Sequence, residues 1–238
     1  VDLSKPLAII TPTVDAAVLA VLAGARTSFT GRQIHQISGQ HSERGIRNAL
    51  QRLCMQGIVT SERVGASNLY ALNRAHLAAP YIEALAGLRV ELISRITETL
   101  ASWSVLPVFG AIFGSAARGD MHIDSDIDLF VVRPRNIDAD DARWAGQLAD
   151  LAGLVTGWTG NDARILELSE VEVRTGLATG ARVLVDIKRQ AIVLFGETAF
   201  LDGSRWQKGK ARSGKREKVY GENQKGPVSQ GAAIPPGG

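Results

Sequence analysis

The chain has 238 residues, 45% of them hydrophobic and 21% charged, with a formal net charge of +3. This balance fits one large soluble domain or two small ones with a real core. Cys54 is the only cysteine, which excludes an internal disulfide or a cysteine-built zinc site and fits a reducing compartment.

The charge is unevenly spread. Residues 1–77 carry eight Arg or Lys against four Asp or Glu, residues 78–201 eleven against seventeen, and residues 202–238 eight against three. Basic ends could meet a polyanion, while the acidic middle calls for a cation. The longest early apolar run, "AAVLAVLAGA", is too short to cross a bilayer. Asp15 stands at its entrance instead of a basic cluster, which argues against a signal peptide. The expectation is a cytoplasmic protein with no membrane partner.

In chain order, Val14 to Gly24 reads as a short apolar helix. Thr30 can cap a second helix, "GRQIHQIS", ending at Gly39, and Ser42 a third, "ERGIRNALQRLCMQ", closed by Gly57. On the third, Ile46, Ala49, Leu50 and Leu53 form an apolar stripe. Arg44, Arg47, Asn48, Gln51 and Arg52 fall largely on the other side. "IVTSERVGASNLYAL" gives two strands around a Gly-Ala-Ser-Asn turn. Three helices and a two-stranded wing make a winged helix-turn-helix, with Arg44, Arg47, Asn48 and Gln51 placed to read double-stranded DNA in the major groove. The bland alternative is a solvated outer helix face, or one that docks a protein. The segment resembles the winged-helix domains of bacterial transcription regulators.

Pro80 to Trp103 reads as one long amphipathic helix linking two domains. Leu106–Phe113 and Asp126–Val132 read as strands, residues 138–156 as a helix, and Ala163–Leu168 as a third strand. A helix from Ser169, another over 181–189 and a short strand at 191–195 complete a small α/β domain with a mixed sheet. From Asp202 onward the composition predicts a disordered basic tail. The expected architecture is therefore a two-domain α+β chain. It has a winged helix over 1–77, a linker helix over 78–104, a second domain over 105–201 and the tail over 202–238.

Within "FGSAARGDMHIDSDIDLFVV", a strand runs into Gly114-Ser115, where glycine lets backbone approach a phosphate and amides can donate to its oxygens. The next strand carries Asp126 and Asp128. Strand periodicity sends both to one face and Ile127 and Leu129 to the other. Two carboxylates so close need a cation, and an oxygen-only pair suits Mg²⁺ bridging triphosphate oxygens. The bland reading is an Asp-rich surface turn beside a helix-capping Ser115. Asp120, His122, Asp124 and Ser125 read as turn residues.

These residues resemble the DNA polymerase β-like nucleotidyltransferase superfamily, and most closely the minimal nucleotidyltransferases of bacteria, whose "GSxARGD…SDIDL" signature is matched over roughly residues 105–195. The resemblance implies transfer of a nucleoside monophosphate from a nucleoside triphosphate to a hydroxyl. Gly114 and Ser115 would hold the triphosphate, with Arg118 near the phosphate charge. Asp126 and Asp128 would hold Mg²⁺, one ion or two. Such proteins bring a third carboxylate from a neighbouring strand. Here "NDARILEL" places Arg164 at that position, which leaves Glu167 as the candidate third acid, although by alternation it faces away from Arg164. Two functions stay open. One is a DNA-directed nucleotidyltransferase with a protein or RNA acceptor. The other is a transcription regulator whose degenerate transferase domain only binds nucleotide or a partner. Homodimerisation is open as well.

Overall fold

The computed structural model describes residues 1–39 and 41–202; apart from Asp202, the expected basic tail lies outside them. Helices α1 (Val14–Ala23), α2 (Gly31–Ser38) and α3 (Glu43–Met55) come first. Thr30 starts α2 with a capping box, its hydroxyl accepting from the Gln33 N–H while Gln33 Oε1 accepts from the Thr30 N–H at 2.8 Å. The Ser42 hydroxyl starts α3 by accepting from the Gly45 N–H at 3.1 Å. Ile46, Ala49, Leu50 and Leu53 are buried as the stripe predicts, in one cluster with Val18, Leu22 and Ile34. Beside them β1 (Phe29–Thr30), β2 (Val59–Val64) and β3 (Ser67–Leu72) form an antiparallel sheet in the order β1-β3-β2.

The single long helix expected over residues 80–103 is two helices, α4 (Ala79–Ala86) and α5 (Leu88–Ala101), parted at Gly87. Glycine is among the weakest helix formers, and Gly87 sits at φ −86°, ψ 4°, outside the helical dihedrals, although its N–H still donates to the Glu83 carbonyl at 3.0 Å. The break divides the apolar stripe. Ile82 and Leu85 pack on the first cluster, whereas Leu92, Ile96 and Leu100 belong to a second.

That second cluster lies on a four-stranded mixed sheet of β4 (Phe109–Phe113), β5 (Ile127–Arg133), β6 (Ala163–Ser169) and β7 (Ile192–Phe195), in the order β6-β5-β4-β7. β4 pairs antiparallel with β5 and β7, and β5 pairs parallel with β6. A parallel pair needs a crossover, supplied by α7 (Ala142–Thr159). This helix begins later than the sequence predicts because Asp141 caps it, accepting from the Arg143 and Trp144 N–H groups. The Arg143 side chain and those amides hold the Asp141 carboxyl at about 2. One turn, α6 (Gly114–Arg118), follows β4, and α8 (Glu170–Thr179) and α9 (Arg182–Gln190) follow β6. Ile127, Leu129 and Val131 face the second cluster. Phe130 and Val132, on the other face with Asp128, are also fully buried. Among the described residues no helix is long and apolar enough to cross a membrane.

Candidate functional site

The β4–β5 hairpin and the β5–β6 pair together place the acidic residues. In register, Phe113 lies opposite Asp128 on one side and Arg164 opposite it on the other. Asp128 is thus central in the sheet, next to the turn that opens α6. Gly114 holds φ +67°, and a Cβ there would come 2.3 Å from Asp128 Oδ2. Only glycine allows the turn and the carboxylate to sit this close.

Asp126 ends the loop before β5. That loop is fixed from below by Asn161, a residue only 4% exposed. Its amide Nδ2 donates to the Ile123 and Ser125 carbonyls at 3.0 and 2.8 Å. Sequence reading missed Asn161, because an Asn after a Gly at a helix end looks like an ordinary turn residue. It missed Arg89 too, whose Nη2 donates to the Ala117 carbonyl at 2.6 Å and so holds the end of α6. No local pattern marks Arg89, which simply falls near the start of a helix.

Burial and the neighbouring Asp126 push the Asp128 carboxyl above its ordinary value of 3.8, against the opposing pull of Arg164 and Arg118. Ionised Asp128 is therefore a cost to the folded chain at neutral pH. A raised folded value favours folding below the unfolded pKa and loses that contribution as pH rises through the folded one. Asp128→Asn is expected to raise the melting temperature at pH 7, with the gain vanishing below about pH 4. Thermal melts of the two chains across that range check it.

Arg164 Nη1 lies 2.8 Å from Asp126 Oδ2, with the arginine side chain 70% exposed. Arg118 is close enough to act on Asp128, while its Nε pairs with Asp120 Oδ2 at 3.0 Å. Glu167 is placed elsewhere. It lies opposite Val131 in the register and accepts from Arg133 Nε at 2.6 Å. Arg133 is the more buried partner and also donates to the Ile137 carbonyl. Glu167→Gln is expected to destabilise the fold by about 1.5–3 kcal/mol, by weakening a bond to a charged group, and to leave nucleotide binding unchanged. Urea melts and a binding titration read the two effects separately.

No group of three or more His, Cys, Asp or Glu poised to hold a metal occurs among the described residues. A divalent ion that arrives with a triphosphate does not need one. Mg²⁺ commonly takes one or two carboxylates and completes its shell with phosphate oxygens and water. Such an ion would offset the burial and the repulsion from Asp126 that together push the Asp128 carboxyl up. The donor set fits one ion, while a second would lack its third acid.

On α3, Arg44, Arg47, Asn48 and Gln51 are all exposed. At spacings of three, four and seven they share one side of the helix. Arg52 instead pairs with Asp15 at 2.9 Å.

Residues 90–185 match the family model described as "Nucleotidyltransferase domain". The matched segment runs from α5 into α9 and takes in Gly114, Ser115, Arg118, Asp126, Asp128 and Arg164. It begins earlier and ends earlier than the sequence motif alone implies. No curated protein matches the chain. Among solved structures, the chain is similar to a toxin–antitoxin crystallised with AMP-PNP, at 18% identity and a TM-score of 0.32, covering 54% of this chain and 98% of that one. It is also similar to two mutant forms of the toxin–antitoxin MntA–HpeT. These are 17% and 18% identical, with TM-scores of 0.34 and 0.33, and each covers 53% of this chain and 94% or 92% of its own.

Proposed function

We propose that the chain is a nucleotidyltransferase-type protein that takes a Mg²⁺–nucleoside triphosphate at the Gly114 turn, transfers the nucleoside monophosphate to a hydroxyl, and is brought to DNA by a winged helix. The observation that carries this reading is the close approach of Asp128 to Gly114, with Asp126 beside it. Gly114 leaves backbone open to phosphate, the Ser115 hydroxyl can donate to its oxygens, and Arg118 offsets charge near Asp128. When bound, Mg²⁺ held by Asp126 and Asp128 would neutralise triphosphate charge. Phosphoryl transfer depends on such neutralisation and on alignment more than on covalent chemistry.

The domain limits belong to the same proposal: a winged helix over 1–77, a linker over 78–104 and a transferase domain over 105–201. The helix order, the β2–β3 hairpin and the exposed face of α3 support the first. Arg44→Ala and Arg47→Ala are each expected to weaken binding to the target duplex and to lower its salt slope by about 1. A gel-shift series in rising salt checks this, and unchanged shifts in both variants contradict it.

A second reading is favoured by the Arg164–Asp126 pair and by the engagement of Glu167 with Arg133. In it, the site binds Mg²⁺–nucleotide and signals to the DNA-binding part without transfer. Incubation with α-labelled triphosphates, Mg²⁺ and cell lysate separates the two. Label on a protein or RNA acceptor supports transfer, whereas tight binding with no labelled acceptor supports the sensor.

A further inference from the structure

Arg164 is the residue the site's chemistry does not yet explain. It stands on β6 directly opposite Asp128, yet its guanidinium reaches across to Asp126 at 2.8 Å. An arginine among metal-binding carboxylates looks like an obstruction. Its exposure says otherwise. Its side chain is 70% exposed while that of its partner Asp126 is 26% exposed; an ion pair open to water on the arginine side is a weak tether, and the guanidinium can turn without disturbing the core.

Charge decides what it turns towards. Three carboxylates with two divalent ions leave one net positive charge facing the triphosphate. Two carboxylates with one divalent ion and one guanidinium leave the same. The planar guanidinium also matches phosphate oxygens in a two-point contact. Resting on the site reading given above, we propose that Arg164 is a triphosphate-binding residue standing in for a second metal ion. In the free protein it neutralises Asp126. With nucleotide present it shifts to the phosphates and leaves both carboxylates to a single ion.

The test uses the full chain, the β,γ-imido analogues of the four common nucleoside triphosphates, and Mn²⁺ counted by electron paramagnetic resonance. The wild type is expected to bind one Mn²⁺ with a triphosphate analogue. Arg164→Ala should weaken that analogue at least about tenfold and the matching monophosphate much less. It should also strengthen Mn²⁺ binding in the absence of nucleotide, because Asp126 is released. Arg164→Lys, which keeps the charge but not the fork, should fall between. A smaller loss for Arg164→Ala, or two Mn²⁺ in the wild type, overturns the assignment of Arg164 and leaves the nucleotide site standing. Failure of the wild type to bind any of the four analogues overturns the site reading, and this inference with it.

Discussion

Gly114→Ala is expected to lower stability by about 2–5 kcal/mol, through a left-handed backbone angle forced on alanine and a Cβ driven into Asp128. In a chain of this size that corresponds to a fall of roughly 4–20 °C in melting temperature. The close approach, not the angle alone, gives the large value. Gly65 supplies the comparison, since it also has a positive φ, +59°, but nothing lies within 4 Å of the Cβ it would gain. Gly65→Ala should therefore cost only the backbone part. Melts of both variants separate the two contributions, and equal losses would mean that Gly114 is a turn glycine with no stake in the carboxylate beside it. Nucleotide binding should be lost in Gly114→Ala and kept in Gly65→Ala.

Combined Asp126→Asn and Asp128→Asn should remove the part of nucleotide binding that depends on Mg²⁺ and cut any transfer rate by about a thousandfold or more. Binding measured in EDTA should hold or improve, because two negative charges no longer face the triphosphate. The same variant should melt no lower than wild type at pH 7, since an ionised Asp128 is a cost to the folded chain. Loss of metal-dependent binding without loss of stability distinguishes a dismantled site from an unfolded one. Titrations with and without Mg²⁺, beside a thermal melt, read all three quantities.

Local signals carried far in this chain. Capping residues Thr30, Ser42 and Ser169 each start the helix their chemistry suggests. Alternation along β5 places Ile127 and Leu129 in the core with Asp128 on the opposite face. Where the sequence misled, the missing information was tertiary. The even apolar stripe from Ile82 to Leu100 looks like one helix, because periodicity does not show that two cores divide it at Gly87. Helix α7 looks longer at its start, because Asp138 and Asp141 are equally good caps on paper and only Asp141 engages the amides.

The third acid shows the same limit. Alternation already placed Glu167 on the face away from Arg164. That its carboxylate belongs to Arg133, a strand away, is a pairing between distant residues. Asn161 and Arg89 act on the site through backbone carbonyls of the loop before β5 and of α6. No spacing rule reaches such contacts.

The proposed function requires Asp126 and Asp128 to share a divalent ion with a nucleotide seated at the Gly114 turn. Anomalous scattering from crystals grown with Mn²⁺ and a β,γ-imido nucleotide tests it most directly. The expected result is a single Mn²⁺ peak bonded to both carboxylates and to phosphate oxygens, with the phosphates against Gly114 and Ser115. A nucleotide bound elsewhere, or a peak that touches neither aspartate, would contradict it.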